Sequence, residues 1–368
     1  MLMNRKATAL AMAATMVVTV GGSVMAQSPS AGPAGSLVPA EPGKVYKVVL
    51  IGDQSFGDNG PMDAFAAGLE KCKTEFGMDI TKKESLDPAG FEDDIRAFAS
   101  DGADLIMTTF PPMTPAQTTV AKEFPDTKFR AIYQFINLPG DTGDKLYPNI
   151  ESTEYQGQTV AYVLGVIAGA LSKTGKLGAV SGSDDPTVNA ADNAWAQGAL
   201  SVNPKVSVEY GIAGSYQDAA KGKEIALAMA SRGVDVISTE AAATQLGVID
   251  GAKESKILVQ GDVANNATLY PEGYVGYLGL DFGSDVYLAC KELYTGTWTG
   301  GTHTVLDLNT DTYYVPWDVI DAWAASQTWA DQATVAAALQ KGHDAEAAIR
   351  AGTLVVDNNT ATPVNIGG

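Results

Sequence analysis

Residues 44–135 alternate between short apolar runs and amphipathic stretches. Val45 to Ile51 is a β-branched run, which predicts a buried parallel strand. Pro61 opens a stretch that reaches about Phe76 and has apolar residues at helical spacing. The elements predicted next are a weak strand near Ile80, a helix over 90–100, a strand over 105–109, a helix over 114–124 and a strand over 129–135. This βαβαβαβ order predicts a doubly wound sheet, because right-handed crossovers between parallel strands produce one.

The same order of elements returns further along the chain. The predicted strands are 176–181, 206–210, 234–239 and 257–260, and the predicted helices are 188–201, 218–231 and 244–254. The segment ASDGADLIMT at 99–108 aligns with ASRGVDVIST at 230–239, at the same point of each set. In both, a glycine caps a helix and an aspartate begins a strand. Helix-to-strand joints reuse few residue types, but the shared position favours a structural repeat. The sequence therefore predicts an α/β fold with two doubly wound parallel-sheet lobes.

We expect the chain to cross between the lobes three times, which makes a three-stranded hinge near 151–155, 263–274 and 304–317. The first lobe is then 44–153 plus 264–305, and the second is 154–263 plus 306–351. Residues 352–368 end in Asn, Thr, Pro and Gly, so we expect a flexible tail. Ligands of open α/β sheets bind beyond the carboxyl ends of the strands. The expected site is therefore a cleft between the lobes, which hinge closure would enclose.

The N-terminal residues have the pattern of an export signal. Arg5 and Lys6 precede an apolar stretch over 7–20, and Val24-Met25-Ala26 has the small-x-small ending of a cleavage site. The apolar stretch is too short to span a bilayer stably. We therefore predict a signal peptide over 1–26, cleaved near Ala26, and a Pro/Gly/Ser/Ala-rich linker over 27–43. No cysteine stands directly after the predicted cleavage site, so a periplasmic protein without a lipid anchor is expected.

Charge and cysteine content narrow the class of protein. The formal net charge is −19, and cleavage would remove two cations and no acid. Such a charge argues against nucleic acid or an anionic membrane as partner, since both are polyanions. Cys72 and Cys290 both lie in segments with a helical pattern. The segment with Cys290 is expected to lie in the first lobe, where Cys72 also lies. The sequence is compatible with a disulfide between the two cysteines and equally with two buried free thiols.

Motifs of enzymes and metal sites are missing from the sequence. It contains no G-x-S-x-G, Walker-type, G-x-G-x-x-G or C-x-x-C motif. His303 and His343 lie away from the predicted strand ends. The run DLNTD over 307–311 lacks the glycine and the distal glutamate of a calcium-binding EF-hand. We expect no catalytic residues, no cofactor and no metal, although Glu240 would be the candidate if the lobes carried an enzyme.

Acidic and aromatic residues follow the predicted strands of both lobes. Carboxylates accept hydrogen bonds from sugar hydroxyls or a cationic nitrogen, and aromatic rings offer flat faces. Taken singly, Asp53 and Asp58 could merely cap a helix, Trp195 could be core and Tyr216 a turn residue. Together they favour a polar ligand with a flat part. The candidate ligand-binding residues are Asp53, Phe56, Asp58, Asn59, Phe65, Phe110, Trp195, Tyr216, Glu240 and Asp262.

Five segments carry motifs in a characteristic order. They are DQSF at 53–56 after the first strand, a glycine-rich helix and turn over 154–176, GSYQD with AKG over 214–222, TQLGVIDGAK at 244–253, and Gly261-Asp262. Residues 348–352 resemble a closing I-x-x-G segment. In this order the segments resemble the basic membrane protein (PnrA-like) family of ABC-transporter solute-binding proteins. The resemblance implies a type I periplasmic-binding-protein fold and an ABC-transporter permease in the inner membrane as partner. It also implies purine nucleoside binding, as in the family's best understood members.

The resemblance assigns roles to some of the candidate residues. Acids in the family take the ribose hydroxyls and aromatics sandwich the base. Matching positions are Asp53 or Asp58, Tyr216 and Asp262, with Phe56 or Phe65 for the first aromatic. Pro115 stands where the family often has Asp, Leu280 or Asp281 where it has Lys, and Glu240 where it is apolar or small. A sugar or a cationic amine therefore remains an alternative ligand, and a sensing subunit an alternative role. A monomer is expected, because hinge closure needs one chain.

Overall fold

The computed structural model describes residues 37–57, 61–134, 136 and 147–367, and the fold below is that of the unit 39–368. The predicted signal peptide and most of the predicted linker lie outside the described residues. The strands are β1 (Lys47–Gly52), β2 (Asp79–Glu84), β3 (Leu105–Thr109), β4 (Lys128–Ile132), β5 (Ile150–Tyr155), β6 (Lys176–Ser181), β7 (Ser207–Ile212), β8 (Val236–Glu240), β9 (Leu258–Gly261), β10 (Tyr274–Tyr277), β11 (Gly279–Leu280), β12 (Thr302–Leu306) and β13 (Tyr313–Tyr314). The helices are α1 (Pro61–Phe76), α2 (Phe91–Ser100), α3 (Thr114–Glu123), α4 (Gln158–Leu171), α5 (Pro186–Val202), α6 (Ala219–Ser231), α7 (Gln245–Ser255), α8 (Phe282–Thr295), α9 (Trp317–Ser326) and α10 (Gln332–Arg350).

The strands form two parallel sheets with the same internal order. The first sheet runs β12-β5-β4-β3-β1-β2 and the second β10-β9-β8-β6-β7. When the strands are numbered within each lobe, both sheets follow the order 5-4-3-1-2. The first sheet has β12 as an additional strand at its edge. The predicted α/β fold with two parallel-sheet lobes is confirmed.

The repeated helix-to-strand joint has the same structure in both lobes. Gly102 and Gly233 have φ of +78° and +94°, a conformation that glycine adopts without steric cost. The backbone N–H of Asp104 donates to Lys47 O at 2.9 Å, and that of Asp235 donates to Lys176 O at 3.0 Å. Each aspartate therefore joins the start of its strand to the start of the first strand of its lobe.

The lobes are connected by three crossings of the chain. β5 leads from the first sheet directly to α4, which packs against α5 and α10 in the second lobe. β11 and β13 carry the other two crossings and pair with each other as a two-stranded antiparallel ribbon.

The predicted boundary at residue 263 is displaced in the structure. The sequence pattern predicts residues 274–277 in the first lobe, but β10 pairs in parallel with β9 in the second sheet. All four residues of β10 are buried, so this apolar strand covers the edge of β9. The crossing follows Tyr277, which leaves α8 packed against α1 in the first lobe.

The tail after Gly352 has a defined course, in contrast to the flexible tail that its composition predicts. Ile366 forms an antiparallel bridge with Val208 at the edge of the second sheet. Asn193, on α5, donates hydrogen bonds to the backbone of Asn359 and Ala361. Hydrogen bonds from α5 and β7 thus place the tail on the second lobe.

Candidate functional site

Aromatic rings gather where the strands of the first sheet end. Phe110 follows β3 and Tyr133 follows β4, with ring centroids 5.9 Å apart. The ring of Tyr155 lies 4.9 Å from Tyr133 and 5.9 Å from Phe282. Phe65 packs edge-on against Phe110 at 5.9 Å and Phe282 at 5.4 Å. These five rings, which we call the aromatic cluster, offer apolar faces and, at the tyrosines, hydroxyl groups.

The backbone at the ends of these strands adopts uncommon conformations. Phe110 and Tyr133 have φ of 59° and 55°, and Ala242, shortly after β8 in the second lobe, has φ of 45°. Left-handed backbone at non-glycine residues costs free energy and concentrates at functional sites. These conformations at the strand ends of both lobes are typical of a functional site.

Asp53 provides a carboxylate at the same edge of the first sheet. Its N–H donates to Thr109 Oγ1 at 3.2 Å, and the Thr109 hydroxyl donates to Asp53 Oδ1 at 3.1 Å. Partial burial raises the pKa of Asp53, and the hydrogen bond from Thr109 acts in the opposite direction. The side chain is thereby fixed at the end of β3, beside Phe110.

Four carboxylates lie near one another in the second lobe. Glu240 ends β8, Asp262 follows β9, Asp185 caps α5, and Asp192 lies two turns into α5. Burial raises the pKa of Glu240 well above its usual range, and the charges of Asp192, Asp262 and Asp185 raise it further. We call these four residues the acidic cluster. A cation or hydrogen-bond donors of a ligand would relieve this repulsion.

Backbone and hydroxyl groups orient the acidic cluster. Asp262 accepts the N–H of Ala242 at 3.0 Å. Burial raises the pKa of Asp262, whereas hydrogen bonds from the backbone of Ala242, Val263 and Ala241 lower it. The Ser181 hydroxyl donates to Asp192, which is fully buried.

Tyrosines bring the two clusters together across the lobe boundary. The hydroxyl of Tyr133, in the first lobe, lies close enough to Thr187, at the start of α5, for Thr187 to act to lower its pKa. Burial raises the pKa of Tyr133, and the charges of Asp185 and Glu240 add to this increase. Tyr313, in the crossing strand β13, is buried within reach of the charges of Glu240 and Asp262. The aromatic and acidic clusters therefore lie close to each other where the two lobes meet, at the position of the cleft expected from the sequence.

Tyr216 lies on the second-lobe side of this cleft. Its hydroxyl is 2.8 Å from Ser183 Oγ. Its ring packs on Gly182, where any side chain would collide with it. Burial raises the pKa of Tyr216, and the charges of Asp185, Glu240 and Asp262 also contribute.

Three of the predicted site residues lie elsewhere or deeper. Trp195 is in the core of the second lobe, where its indole N–H donates to Gln260 Oε1 at 2.7 Å, so it is not positioned to bind a ligand. Phe56 lies at the β2 edge, with Lys82 Nζ 5.0 Å from its ring. Phe65 is fully buried within the aromatic cluster. Asp58 and Asn59 lie outside the described residues.

Sequence reasoning missed Tyr133, Tyr155, Tyr313 and Asp192. The strand predicted over 129–135 hid Tyr133, because β4 ends at Ile132 and the tyrosine follows it. A signal for Asp192 was present, since it is a lone carboxylate in an alanine-rich stretch of α5. Tyr155 and Tyr313 are in crossing segments, whose partners depend on how the lobes meet.

The acidic cluster predicts a pH dependence of stability. Burial raises the pKa of Asp192 to about 7. The folded protein therefore keeps a proton that the unfolded chain releases near pH 4, so the free energy of unfolding decreases as the pH rises from about 4 to about 7. In Asp192→Asn we expect the loss of stability between pH 5 and pH 8, measured by urea unfolding, to shrink by about 1–3 kcal/mol. An unchanged loss, with exposed Asp321→Asn as the matched control, would contradict this expectation.

The described part of the chain lacks two kinds of feature. No group of three or more His, Cys, Asp or Glu residues there is arranged to hold a metal ion. No helix within these ranges combines the length and apolar composition needed to cross a membrane.

Comparison with known proteins agrees with this geometry. The family model for the ABC transporter substrate-binding protein PnrA-like family matches residues 45–320. Basic membrane protein A of Borreliella burgdorferi is 28% identical over 261 residues, which cover 70% of this chain and 75% of that protein. The ABC transporter nucleoside-binding protein BmpA of Lactococcus lactis is 27% identical over 203 residues, 55% of each chain.

Solved structures show the same fold. A solute-binding protein of an ABC transporter system from Aeropyrum pernix aligns with a TM-score of 0.67 at 20% identity, over 86% of this chain and 94% of that one. A solute-binding protein of an ABC transporter system from Conexibacter woesei has a TM-score of 0.63 at 24% identity, over 85% and 99%. The cleft, the motif order and the family match lead to one conclusion: this chain belongs to the PnrA-like family of ABC-transporter substrate-binding proteins.

Proposed function

We propose that this chain is the exported solute-binding component of an ABC importer. It encloses a small polar ligand between its lobes by hinge closure and delivers it to a permease in the inner membrane. The observation that carries the proposal is the placement of the aromatic cluster and the acidic cluster on opposite sides of one cleft. The export pattern over 1–26 and the family support a periplasmic location. A single chain supplies both sides of the cleft, which supports a monomer.

A purine nucleoside is the first candidate ligand. Carboxylates at Asp53 and Asp262 would accept hydrogen bonds from sugar hydroxyls, and Phe110, Tyr133 and Tyr216 present rings at the same cleft for a base. The relative from Lactococcus lactis is named as nucleoside-binding, which supports this choice.

A cationic amine is the second candidate. The charges that raise the pKa of Glu240 all belong to carboxylates, namely Asp192, Asp262 and Asp185. An ammonium group would neutralise part of this repulsion and lie against aromatic faces. Leu280 is in β11, so the Lys that the family often has near this position is missing from the crossing ribbon.

A thermal-shift screen of residues 27–368 with adenosine, inosine, ribose and spermidine tests the proposal. A ligand at a hundredfold its dissociation constant stabilises the folded state by roughly 2.7 kcal/mol, which raises the midpoint by a few degrees. We expect adenosine or inosine to produce this shift, and spermidine to do so if the second candidate is correct. If no probe shifts the midpoint, the assigned ligand classes are wrong.

Asp262 is the residue whose replacement should have the clearest effect on binding. Its carboxylate is held by backbone N–H groups and partly exposed to the cleft. Loss of a charged hydrogen bond costs about 1.5–3 kcal/mol, so Asp262→Ala should raise the dissociation constant roughly 10- to 100-fold. Asp321→Ala, at an exposed position of α9, is the matched control and should bind normally. If both variants bind the ligand with equal affinity, Asp262 does not contact the ligand.

A further inference from the structure

Residues 354–367, which we call the strap, follow α10 and lie along the second lobe. The amide of Asn193 donates to the carbonyl oxygens of Asn359 and Ala361, each at 2.8 Å. The amide of Asn189 donates to the intervening carbonyl of Thr360 at 3.2 Å. Two asparagines one helical turn apart on α5 therefore bind three successive backbone carbonyls of the strap.

Further contacts hold the strap on either side of these asparagines. The Thr362 hydroxyl lies 2.9 and 3.0 Å from the two carboxylate oxygens of Asp184. Near the C-terminal end, Ile366 and Val208 exchange both backbone hydrogen bonds, at 2.8 and 2.9 Å. Asn365 Oδ1 accepts the N–H of Tyr210 at 2.9 Å. Each such bond contributes a small amount to stability, so the set as a whole can hold an exposed segment in one place.

The strap also forms part of a wall between the lobes. Asn358 and Thr360 line a cavity of about 240 Å³ together with Glu154, Tyr155, Thr187 and Ala190. Glu154 and Tyr155 end the β5 strand of the first sheet, whereas Thr187 and Ala190 begin α5 of the second lobe. The cavity and the aromatic cluster share Tyr155, whose ring lies 4.9 Å from that of Tyr133, and Thr187 lies near Tyr133. The cavity therefore adjoins the cleft, and the strap is one of its walls.

The anchors of the strap are connected to the acidic cluster. Asp184, which accepts the Thr362 hydroxyl, also accepts the amide of Asn189 at 2.7 Å. The next residue, Asp185, caps α5 by accepting the N–H of Thr187 at 3.0 Å. Release of the strap would thus free the loop that positions both Asp185 and Thr187, in addition to opening the cavity.

We propose that the strap is an affinity-determining segment of the solute site, which closes the β5 side of the cleft and holds the start of α5 in its ligand-binding position. The proposal rests on the proposed function, since a solute must occupy the cleft for the strap to affect its affinity. A tail with only a structural role would change stability without changing the access to the cavity or the affinity of the solute.

The first experiment measures access to the cavity and needs no ligand. The described part of the chain has no free cysteine, because Cys72 and Cys290 are paired. Ala190→Cys therefore places a single thiol at the cavity wall for reaction with a small maleimide. We expect labelling to be at least about tenfold faster when the chain ends at Thr353, because the bonds that hold the wall are lost. Equal labelling rates in the two chains would overturn the proposal.

The second experiment measures affinity with the full-length strap still present. Asn193→Ala removes two strap bonds from a half-buried position of α5 that is not part of the apolar core. Asn265→Ala is the matched control. Asn265 is exposed, and its side chain accepts the N–H of nearby Ala267 and makes no hydrogen bond to the strap in the described part of the chain. With adenosine and spermidine as probes, we expect the dissociation constant of the bound probe to rise at least about fivefold in Asn193→Ala and to stay constant in the control.

The possible outcomes distinguish failure of the strap proposal from failure of the proposed ligand classes. If a probe binds both variants with the same affinity as the parent chain, the strap has no part in the site and the proposal fails. If the melting temperature falls while the affinity is unchanged, the strap is only structural and the proposal also fails. If neither probe binds the parent chain, the ligand classes under the proposed function are wrong, and the labelling rates still decide whether the strap closes the cavity.

Discussion

Replacement of Arg130 by Met is expected to lower the free energy of unfolding by about 3–5 kcal/mol. Arg130 is fully buried in β4, and its guanidinium lies 2.6 Å from Glu151, 2.8 Å from Asp285 and 3.4 Å from Glu292. Methionine would fill much of the space of the arginine stem but leave three carboxylates without a cation. Removal of one partner from a buried ion network is costly because the remaining charges stay desolvated.

Urea unfolding at pH 8 measures this cost. Arg232→Met is the matched control, because Arg232 pairs with Glu209 at the surface, and loss of an exposed pair costs about 1 kcal/mol or less. Equal losses in the two variants would show that the buried network does not stabilise the fold.

The cost of Arg130→Met should also depend on pH. Burial raises the pKa of Glu292 to about 7, although Arg130 acts to lower it. Without Arg130, Glu292 binds its proton more tightly in the folded state, so acid relieves the repulsion. The deficit of Arg130→Met relative to the parent chain should therefore be smaller at pH 5.5 than at pH 8. A larger deficit at pH 5.5 would contradict this explanation.

The Arg130 network reaches the solute cleft through the β5 strand. Asp285 Oδ2 accepts the hydroxyls of Thr153 at 2.9 Å and Tyr155 at 2.8 Å. Tyr155 in turn contacts the rings of Tyr133 and Tyr313. The charge network thus fixes the tyrosine whose ring joins the first lobe to the crossing segment.

Local patterns were sufficient to predict the architecture of both lobes. The A-S-x-G-x-D joints gave the correct repeat because a glycine cap and a strand-starting aspartate are requirements of a few neighbouring residues. β10 was assigned to the wrong lobe because a four-residue strand pairs with β9 or with the first sheet according to tertiary contacts alone. Its sequence, YVGY, indicates a buried strand without indicating the sheet.

The candidate site was predictable where residues directly follow a strand. Asp53, Phe110, Glu240 and Asp262 were predicted for this reason, and the structure places all four at strand ends. Trp195 was misassigned because its partner Gln260 is 65 residues away in the sequence. The composition of the strap predicts a flexible tail, because the asparagines of α5 that bind its carbonyls are far from it in the sequence.

Loss of the disulfide between Cys72 and Cys290 is the second change with a large expected effect. The two cysteines are fully buried, their Cα atoms are 6.0 Å apart, and the bond joins α1 to α8 across 218 residues of sequence. The helices also touch where Gly68 packs on Gly283, so the bond links surfaces that already fit. Of the two alternatives left open by the sequence, the structure has the disulfide.

In Cys72→Ala/Cys290→Ala we expect the free energy of unfolding to fall by about 4 kcal/mol, because a cross-link over a long loop reduces the entropy of the unfolded chain. The covalent loop closed by this disulfide includes all strands of the second sheet. Loss of the disulfide therefore increases the conformational freedom of the unfolded chain in both lobes. Urea unfolding of the oxidised parent chain, the reduced parent chain and the double variant separates the causes. Reduction should destabilise the parent chain by a similar amount and leave the double variant unchanged. If reduction has no effect on the parent chain while the double variant is destabilised, packing of the sulfur atoms rather than the covalent bond supplies the stability.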